Sequence, residues 1–357
     1  MDNIRPMAAV EPPPRIAVVI PCYGVRSHIL DVIQAIGEEV ERIYVVDDCC
    51  PEKTGDYVAA QTSDRRVHVL RNGSRSGVGG ATLAGYRRAL EDGCDVIVKL
   101  DGDGQMNPGI IPRLVNPVVA GKADYAKGNR FFRLEDLRAM PWVRLAGNGI
   151  LSLLTKLSTG YWDLFDPTNG FTAIHATVAR ALPLDKISRG YFFESDMLFR
   201  LATIRAVVAD VPMTARYAGG ESNLRISRVV GPFLVKHTIN TFKRMFYGYF
   251  LRSFNIASVE LLLGFTLITF GGTVGVREWI RSAREQIDSS SGTVMLAALP
   301  VILGFQMLIA FQNYDMQSQP RTPLHPQLWD TAAQRISRRA PSSSTDRAGS
   351  RDSLGRS

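Results

Sequence analysis

Cysteine is scarce in this chain. Cys22, Cys49, Cys50 and Cys94 are the only four among 357 residues; all fall within the first hundred, and none has the spacing of a metal ligand set. They read as small buried thiols of a reducing compartment, with a redox role for vicinal Cys49 and Cys50 as the alternative. The five histidines, His28, His68, His175, His237 and His325, are scattered and form no motif. The N-terminus lacks the apolar stretch of a signal peptide: residues 1–14 are polar and proline-rich, so a short disordered lead is expected and the globular part is expected in the cytoplasm. The formal net charge is +8, yet no zinc-finger spacing occurs, and the bases do not line an aromatic-studded sheet. Nucleic acid is therefore not an expected partner. The charge lies late instead: Arg225, Arg228, Lys236, Lys243, Arg244 and Arg252 occur between 225 and 252 without a single acid, and they flank apolar segments.

What is present begins with a core-forming composition, 45% hydrophobic, and with one run that carries chemistry. In Asp95 to Gln105, apolar Val96, Ile97, Val98 and Leu100 predict a strand covered on both faces. It leads directly into Asp101 and Asp103, and Gly102 and Gly104 allow a sharp turn that brings Asp101, Asp103 and Gln105 to one spot. Paired carboxylate oxygens suit a hard cation, Mg2+ or Mn2+, shared with substrate phosphates. An acidic turn at a strand end has the same local sequence.

From Arg15 strand and helix alternate. Strands are predicted at 15–23, 42–48, 67–71 and 95–100, with helices at 27–39 and 79–91 between them. This is an α/β pattern with a largely parallel sheet covered by helices on both faces, whose ligands bind beyond the carboxyl ends of the strands. Pro21, Asp47, Asp48, Asp101 and Asp103 all fall at such ends, so a single crevice can collect them. The second half is more mixed, with helices predicted at 145–157 and 193–204 and strands at 171–175 and 206–212.

Soluble character ends near Val229. Residues 256–276 and 293–311 are two runs of about twenty mostly apolar residues, each long enough to cross a bilayer and lacking a polar face. Glu260 is the one charge in the first run, and the second has none. Arginine-rich flanks place both ends on the cytoplasmic side, giving an integral membrane protein with a cytoplasmic catalytic part. Between 229 and 252, Val230, Phe233, Leu234, Ile239, Phe242 and Phe246 interleave with bases. This fits an amphipathic helix on lipid headgroups or, equally, a helix packed under the globular part. From Gln312 to 357, serine, arginine, proline and glutamine dominate and order is not expected.

Seven segments then occur in a familiar order: Ile20 to Tyr23, Val45 to Gly55, Asn72 to Gly80, Leu100 to Gln105, Gly128 to Phe131, Asp166 to Phe171 and Gly190 to Met197, followed by Val211 to Met213 and Gly220 to Ser222. Over residues 15–228 the chain resembles the family 2 glycosyltransferases of GT-A fold, and more closely the dolichyl- or polyprenyl-phosphate sugar synthases, whose membrane-anchored members also carry C-terminal spans. The resemblance implies an inverting transfer of one sugar from a nucleotide-diphosphate sugar to a polyprenyl phosphate at the membrane. It implies that Pro21 and Tyr23 wall the nucleotide base, that Asp48 accepts from it, and that 72–80 shapes the nucleotide site. Asp101, Gly102 and Asp103 would contact the donor, with Asp101, Asp103 and Gln105 as metal ligands, and Arg130 would bind phosphate. Asp166 and Asp196, with Glu194 nearby, would face donor sugar and acceptor as catalytic acids; capping or ion pairing suits them equally. Arg216 and Arg225, with Arg228, would grip the lipid phosphate, although Asn223 stands where the family commonly has lysine. Transfer to a polysaccharide or glycolipid, and a non-catalytic membrane scaffold, are the competing readings; no Gln-x-x-Arg-Trp element of processive synthases is present.

Overall fold

A computed structural model describes residues 13–132, 142–214 and 226–328, with only the backbone described for 142–146 and 226–229. Residues 1–12 and 329–357, which hold most of the expected lead and tail, and Arg216 and Arg225 lie outside the described residues.

The first strand, β1 (Ile16–Cys22), is a run of β-branched and small apolar residues buried at every position. It pairs in parallel with β2 (Val40–Asp47) and β4 (Val96–Lys99), and β3 (Val67–Arg71) extends the sheet beyond β2. β5 (Tyr125–Asn129), β6 (Thr172–His175) and β7 (Val208–Pro212) complete seven strands in the order β3-β2-β1-β4-β6-β5-β7. β6 runs antiparallel to both β4 and β5, so the sheet is mixed, though mostly parallel. Four residues, three of them buried, carry no sign of strand direction, which is why the reversal is absent from the sequence pattern.

Side-chain alternation divides the core in two. Val18, Ile20, Ile43, Val45 and Val98 point to one face, covered by α1 (Ile29–Gln34), α2 (Thr54–Gln61) and α4 (Ile111–Val119). Ala17, Val19, Tyr44, Val46 and Ile97 point to the other, covered by α3 (Gly77–Glu91), α6 (Ala176–Ala181) and α7 (Phe193–Thr203). Each fully buried Val or Ile contributes roughly 1.5–3 kcal/mol, so the central strands anchor the loops at their carboxyl ends. α5 (Trp142–Thr159) lies between β5 and β6 in the chain.

α8 (Ile226–Phe246) docks on this body with one face and leaves the other apolar and open. Phe233 and His237 pack on Phe192 at 5.1 and 4.9 Å, and His237 Nδ1 lies 2.9 Å from Ser158 Oγ of α5. Leu234, Ile239 and Phe242 are exposed. The 229–252 segment thus packs under the globular part with one face, as one of its two sequence readings has it, and leaves apolar side chains exposed on the other. A π-helical stretch, Tyr247–Arg252, leads to α9 (Ile256–Glu285), whose N-terminus is closed by a capping box between Asn255 and Ser258.

α9 and α10 (Ser291–Gln317) pack against each other as a hairpin of 30 and 27 residues, roughly 45 and 40 Å long. Both overrun the apolar runs that nucleate them. Only 11% of the apolar window of each is buried, whereas a core helix of a globular domain is covered on most sides. Order also persists past Gln312, where none is expected. Asp315, within α10, is buried and takes donors from Arg244 (2.6 and 3.0 Å), Tyr249 (2.5 Å) and Trp162 (2.9 Å). Beyond the helix the chain returns to the sheet, where Asp124 accepts from the backbone N–H groups of Leu324 and His325, each at 2.8 Å. The His325 ring stacks on His175 at 4.2 Å. Polar composition there serves buried hydrogen bonding, which a compositional reading cannot separate from solvation.

Candidate active site

The carboxyl ends of β1, β2 and β4 meet in one crevice, and the acids there fall into two groups. Asp47 closes β2, and its oxygens accept from the N–H groups of Cys50 (2.7 Å) and Gly55 (2.6 Å). Asp48 is buried and takes four donors from the next loop: Asn72 Nδ2, Ser76 N and Ser76 Oγ on Oδ1 (2.8, 2.8 and 2.6 Å) and Gly77 N on Oδ2 (2.7 Å). Burial alone would raise its pKa, but these bonds hold it below the usual carboxylate range. The N-terminus of α3 is an anion site, and the anion seated on it is Asp48 itself. The glycines of this loop have a second use: a Cβ on Gly79 would lie 2.6 Å from the Ser188 carbonyl, so the 188–190 segment can close over the helix start.

Asp101 and Asp103 are treated differently. Among the described residues Asp101 has one donor, Lys99 Nζ at 2.7 Å, and Asp103 has one from a neighbour, the Gln105 N–H at 3.0 Å. Partial burial, reinforced by the nearby Asp101 charge, raises the Asp103 pKa. Gly170 lies directly over the pair's base: a Cβ there would stand 2.4 Å from Lys99 Nζ and 2.5 Å from Asp101 Oδ2. Lys99 is 1% exposed and also reaches Glu194 Oε1 at 3.2 Å. Burial would depress its pKa, but Asp101 and Glu194 reverse that and raise it, so this ammonium stays charged.

Lys99 is absent from the motif reading, yet it is the single charge inside the apolar run of β4, and that is the signal that marks it. Glu194 faces the crevice through Lys99, whereas Asp196, two residues on, accepts from the Ser188 N–H at 2.8 Å and lies 3.7 Å from Arg200. On a helix, neighbours two apart face different directions, and Asp196 is the one turned to the fold. Arg130 and Asp166 are brought together as a bidentate pair, Nε to Oδ2 at 2.7 Å and Nη2 to Oδ1 at 2.9 Å. Against the upward push of burial, the Arg130 guanidinium holds the Asp166 carboxyl below its ordinary range. Pro21 is buried in β1, while Tyr23 projects half-exposed with the Arg75 guanidinium 4.0 Å from its ring centroid. Cys50 is buried beneath this rim and accepts from the Gly24 N–H at 3.1 Å; Cys49, expected buried, is exposed.

Among the described residues no three His, Cys, Asp or Glu side chains gather around a metal-sized gap. The donor set at Asp101 and Asp103 is two carboxylates with oxygens to spare, hard ligands that fit Mg2+ or Mn2+ completed by phosphate, water or the Gln105 amide. The crevice therefore combines an open pair of carboxylates, an aromatic rim and a buried cation behind the acids.

The chain is similar to known proteins. The family model described as Glycosyl transferase family 2 matches residues 17–182. The chain is 35% identical over 204 residues to the undecaprenyl-phosphate mannosyltransferase of Micrococcus luteus, covering 56% of this chain and 83% of that one. It is 32% identical over 230 residues to the polyprenol monophosphomannose synthase of Mycolicibacterium smegmatis, covering 63% and 84%. Among solved structures, glucosyl-3-phosphoglycerate synthase from Mycobacterium tuberculosis aligns with a TM-score of 0.49 at 20% identity, over 65% of this chain and 78% of that one. The two sequence relatives, each matched over more than four-fifths of its own length, and the family model agree: the chain belongs to glycosyltransferase family 2.

Proposed function

We propose that the protein transfers one hexose, as its mannosyltransferase relatives are named for doing, from a nucleotide-diphosphate sugar to a polyprenyl phosphate at the cytoplasmic face of a membrane, with inversion. The observation that carries this reading is the pair Asp101 and Asp103, left with unclaimed oxygens on a domain fastened to two membrane-length helices. Asp101, Asp103 and Gln105 would hold Mg2+ or Mn2+, which supplies Lewis-acid screening of the departing diphosphate. Tyr23, with Pro21 behind it, forms the rim for the base; Asp48 keeps the α3 loop in shape, and Gly102 lets the acids turn inward. Lys99 fixes Asp101 from behind and balances Glu194.

A phosphate monoester is mostly dianionic at neutral pH, its second pKa being about 6, so the acceptor oxygen needs little help from a base. This agrees with the engagement of Asp166 by Arg130 and of Asp196 by Ser188. Their role is to hold the walls, and the domain's task is to align two anions. Arg216, Arg225 and Arg228 remain proposed as contacts for the acceptor phosphate.

The test is purified full-length protein in detergent with a panel of labelled nucleotide sugars, undecaprenyl phosphate and Mn2+ or Mg2+. Label should appear in the organic phase, with the anomeric configuration opposite to the donor's, and excess chelator should stop it. Label confined to an aqueous polymer, or transfer undiminished by chelator, overturns the reading.

A further inference from the structure

A cavity of about 600 Å³ lies apart from the acidic crevice, at the seam between the catalytic body and the membrane hairpin. Its walls come from the ends of α5 and α7, the π-helical stretch and the foot of α10. None of the crevice acids lines it. Arg205, Arg244 and Arg252 face it against one carboxylate, Asp315. Arg244 and Asp315 neutralise each other through two hydrogen bonds. Arg205 spends one N–H on the Ser318 carbonyl at 3.0 Å, and Arg252 has no ion pair among the described residues. Two guanidinium charges are left over.

Helix C-terminal ends gather around the cavity and attract cations, which accounts for part of this pattern. Their carbonyls are already answered, however: Arg244 Nε serves Leu157 at 3.0 Å, and the Gly160 N–H serves Lys156 at 2.7 Å. The remaining N–H groups of Arg205 and Arg252 form planar forks suited to phosphate oxygens. Beside them the surface turns apolar. Leu251, Phe254 and Ile256 are 65%, 68% and 63% exposed and lead onto the open side of α9. A ligand that fits both parts has a compact anionic head and long apolar chains.

We propose that this cavity binds the phosphodiester head of an anionic membrane phospholipid, with Arg205 and Arg252 taking the phosphate oxygens and the acyl chains following Leu251, Phe254 and Ile256. None of the crevice acids belongs to the site, and it rests on the reading that α9 and α10 cross a bilayer. A lipid held there sits between body and hairpin and sets how far the crevice stands from the membrane surface.

The test uses delipidated full-length protein in detergent, offered equal amounts of phosphatidylglycerol and phosphatidylcholine and examined by native mass spectrometry. Retained phosphatidylglycerol should exceed phosphatidylcholine by roughly tenfold, the worth of one charge-assisted contact. The ratio should fall to near one in R205Q/R252Q and stay high in R277Q/R284Q, whose arginines lie toward the far end of α9. R252Q alone, removing a group without an ion pair, should lower the ratio even if the double variant folds poorly. Equal retention of the two lipids, a ratio unchanged in R205Q/R252Q and R252Q, or an equal fall in R277Q/R284Q overturns the site. Displacement of phosphatidylglycerol by excess inorganic phosphate would make the ligand a free anion and overturn it as well. Failure to retain either lipid strikes at the membrane reading, and at this site with it.

Discussion

Asp47 and Asp48 end β2 much as Asp101 and Asp103 follow β4, and the strands they extend flank the same central β1. The first pair is consumed by its own fold, its four oxygens accepting six hydrogen bonds from neighbouring loops. The second pair accepts one bond on Asp101 and one from Gln105 on Asp103. Identical side chains at equivalent places thus build a wall in one case and leave ligand valences in the other. What separates them is the supply of backbone N–H groups: the start of α3 and the Cys50 to Gly55 turn deliver them to β2, whereas Gly102 and Gly104 carry the chain away from the β4 acids. A free carboxylate at a strand end is the more informative observation, since an unsatisfied acid is costly without a partner.

This contrast can be broken most decisively at Asp103. D103N should lower turnover by about 10²–10³-fold, the range seen when one group that stabilises transition-state charge is lost, while thermal unfolding stays near wild type. Normal transfer of label to lipid by D103N would place both pairs in the same structural class. Replacing Lys99 tests whether the open pair needs its buried counter-charge. K99M should cost about 3–5 kcal/mol in denaturant unfolding, because Asp101 and Glu194 are left facing each other, and K99M/E194Q should recover part of it. No recovery in the double variant would separate Glu194 from this network.

D48A should behave in the opposite way to D103N. A loss of roughly 2–3 kcal/mol of stability is expected from the orphaned N–H groups around the α3 start, with activity falling only as far as the loop loosens. Because the folded pKa of Asp48 lies below its ordinary value, its contribution is present above about pH 4 and disappears as acid protonates the folded carboxylate, and the D48A curve should lack that loss.

The smallest effect lies at the docked helix α8. Burial lowers the His237 pKa from 6.5 to about 4. The unfolded chain takes up a proton that the folded one refuses, so stability is full above pH 6.5 and declines toward pH 4. His175, lowered to about 4 by burial and by neighbouring His325, shares this slope. In H237F the melting temperature should fall less steeply over that window, and an unchanged slope would mean that His237 is solvated.

Much of the catalytic domain was readable because its strands are continuous β-branched runs. β3 is predicted at 67–71 and observed there, and β1, β2 and β4 differ only at their ends. α2 and α4 escaped notice since Thr54–Gln61 has only a weak apolar face and α4 carries Pro117. The motif order brought the right segments to one crevice. It did not show which acids are spoken for: Arg130 with Asp166, and Ser188 with Asp196, pair across 36 and 8 residues of chain. Pairing set by tertiary packing leaves no periodic trace. The stretch after Gln312 misled for the related reason that Asp315 and His325 are polar yet buried.

That stretch has a mechanical meaning. The hairpin is moored through α8 where the chain leaves the catalytic body, through the Trp162 bond to Asp315 at the foot of α10, and through the Leu324 and His325 bonds to Asp124 where the chain comes back. A single tether would let the body swivel like a buoy. Several moorings turn it into a gantry, and under the proposed function its crevice would address the bilayer from one fixed bearing each time a lipid substrate drifts beneath it.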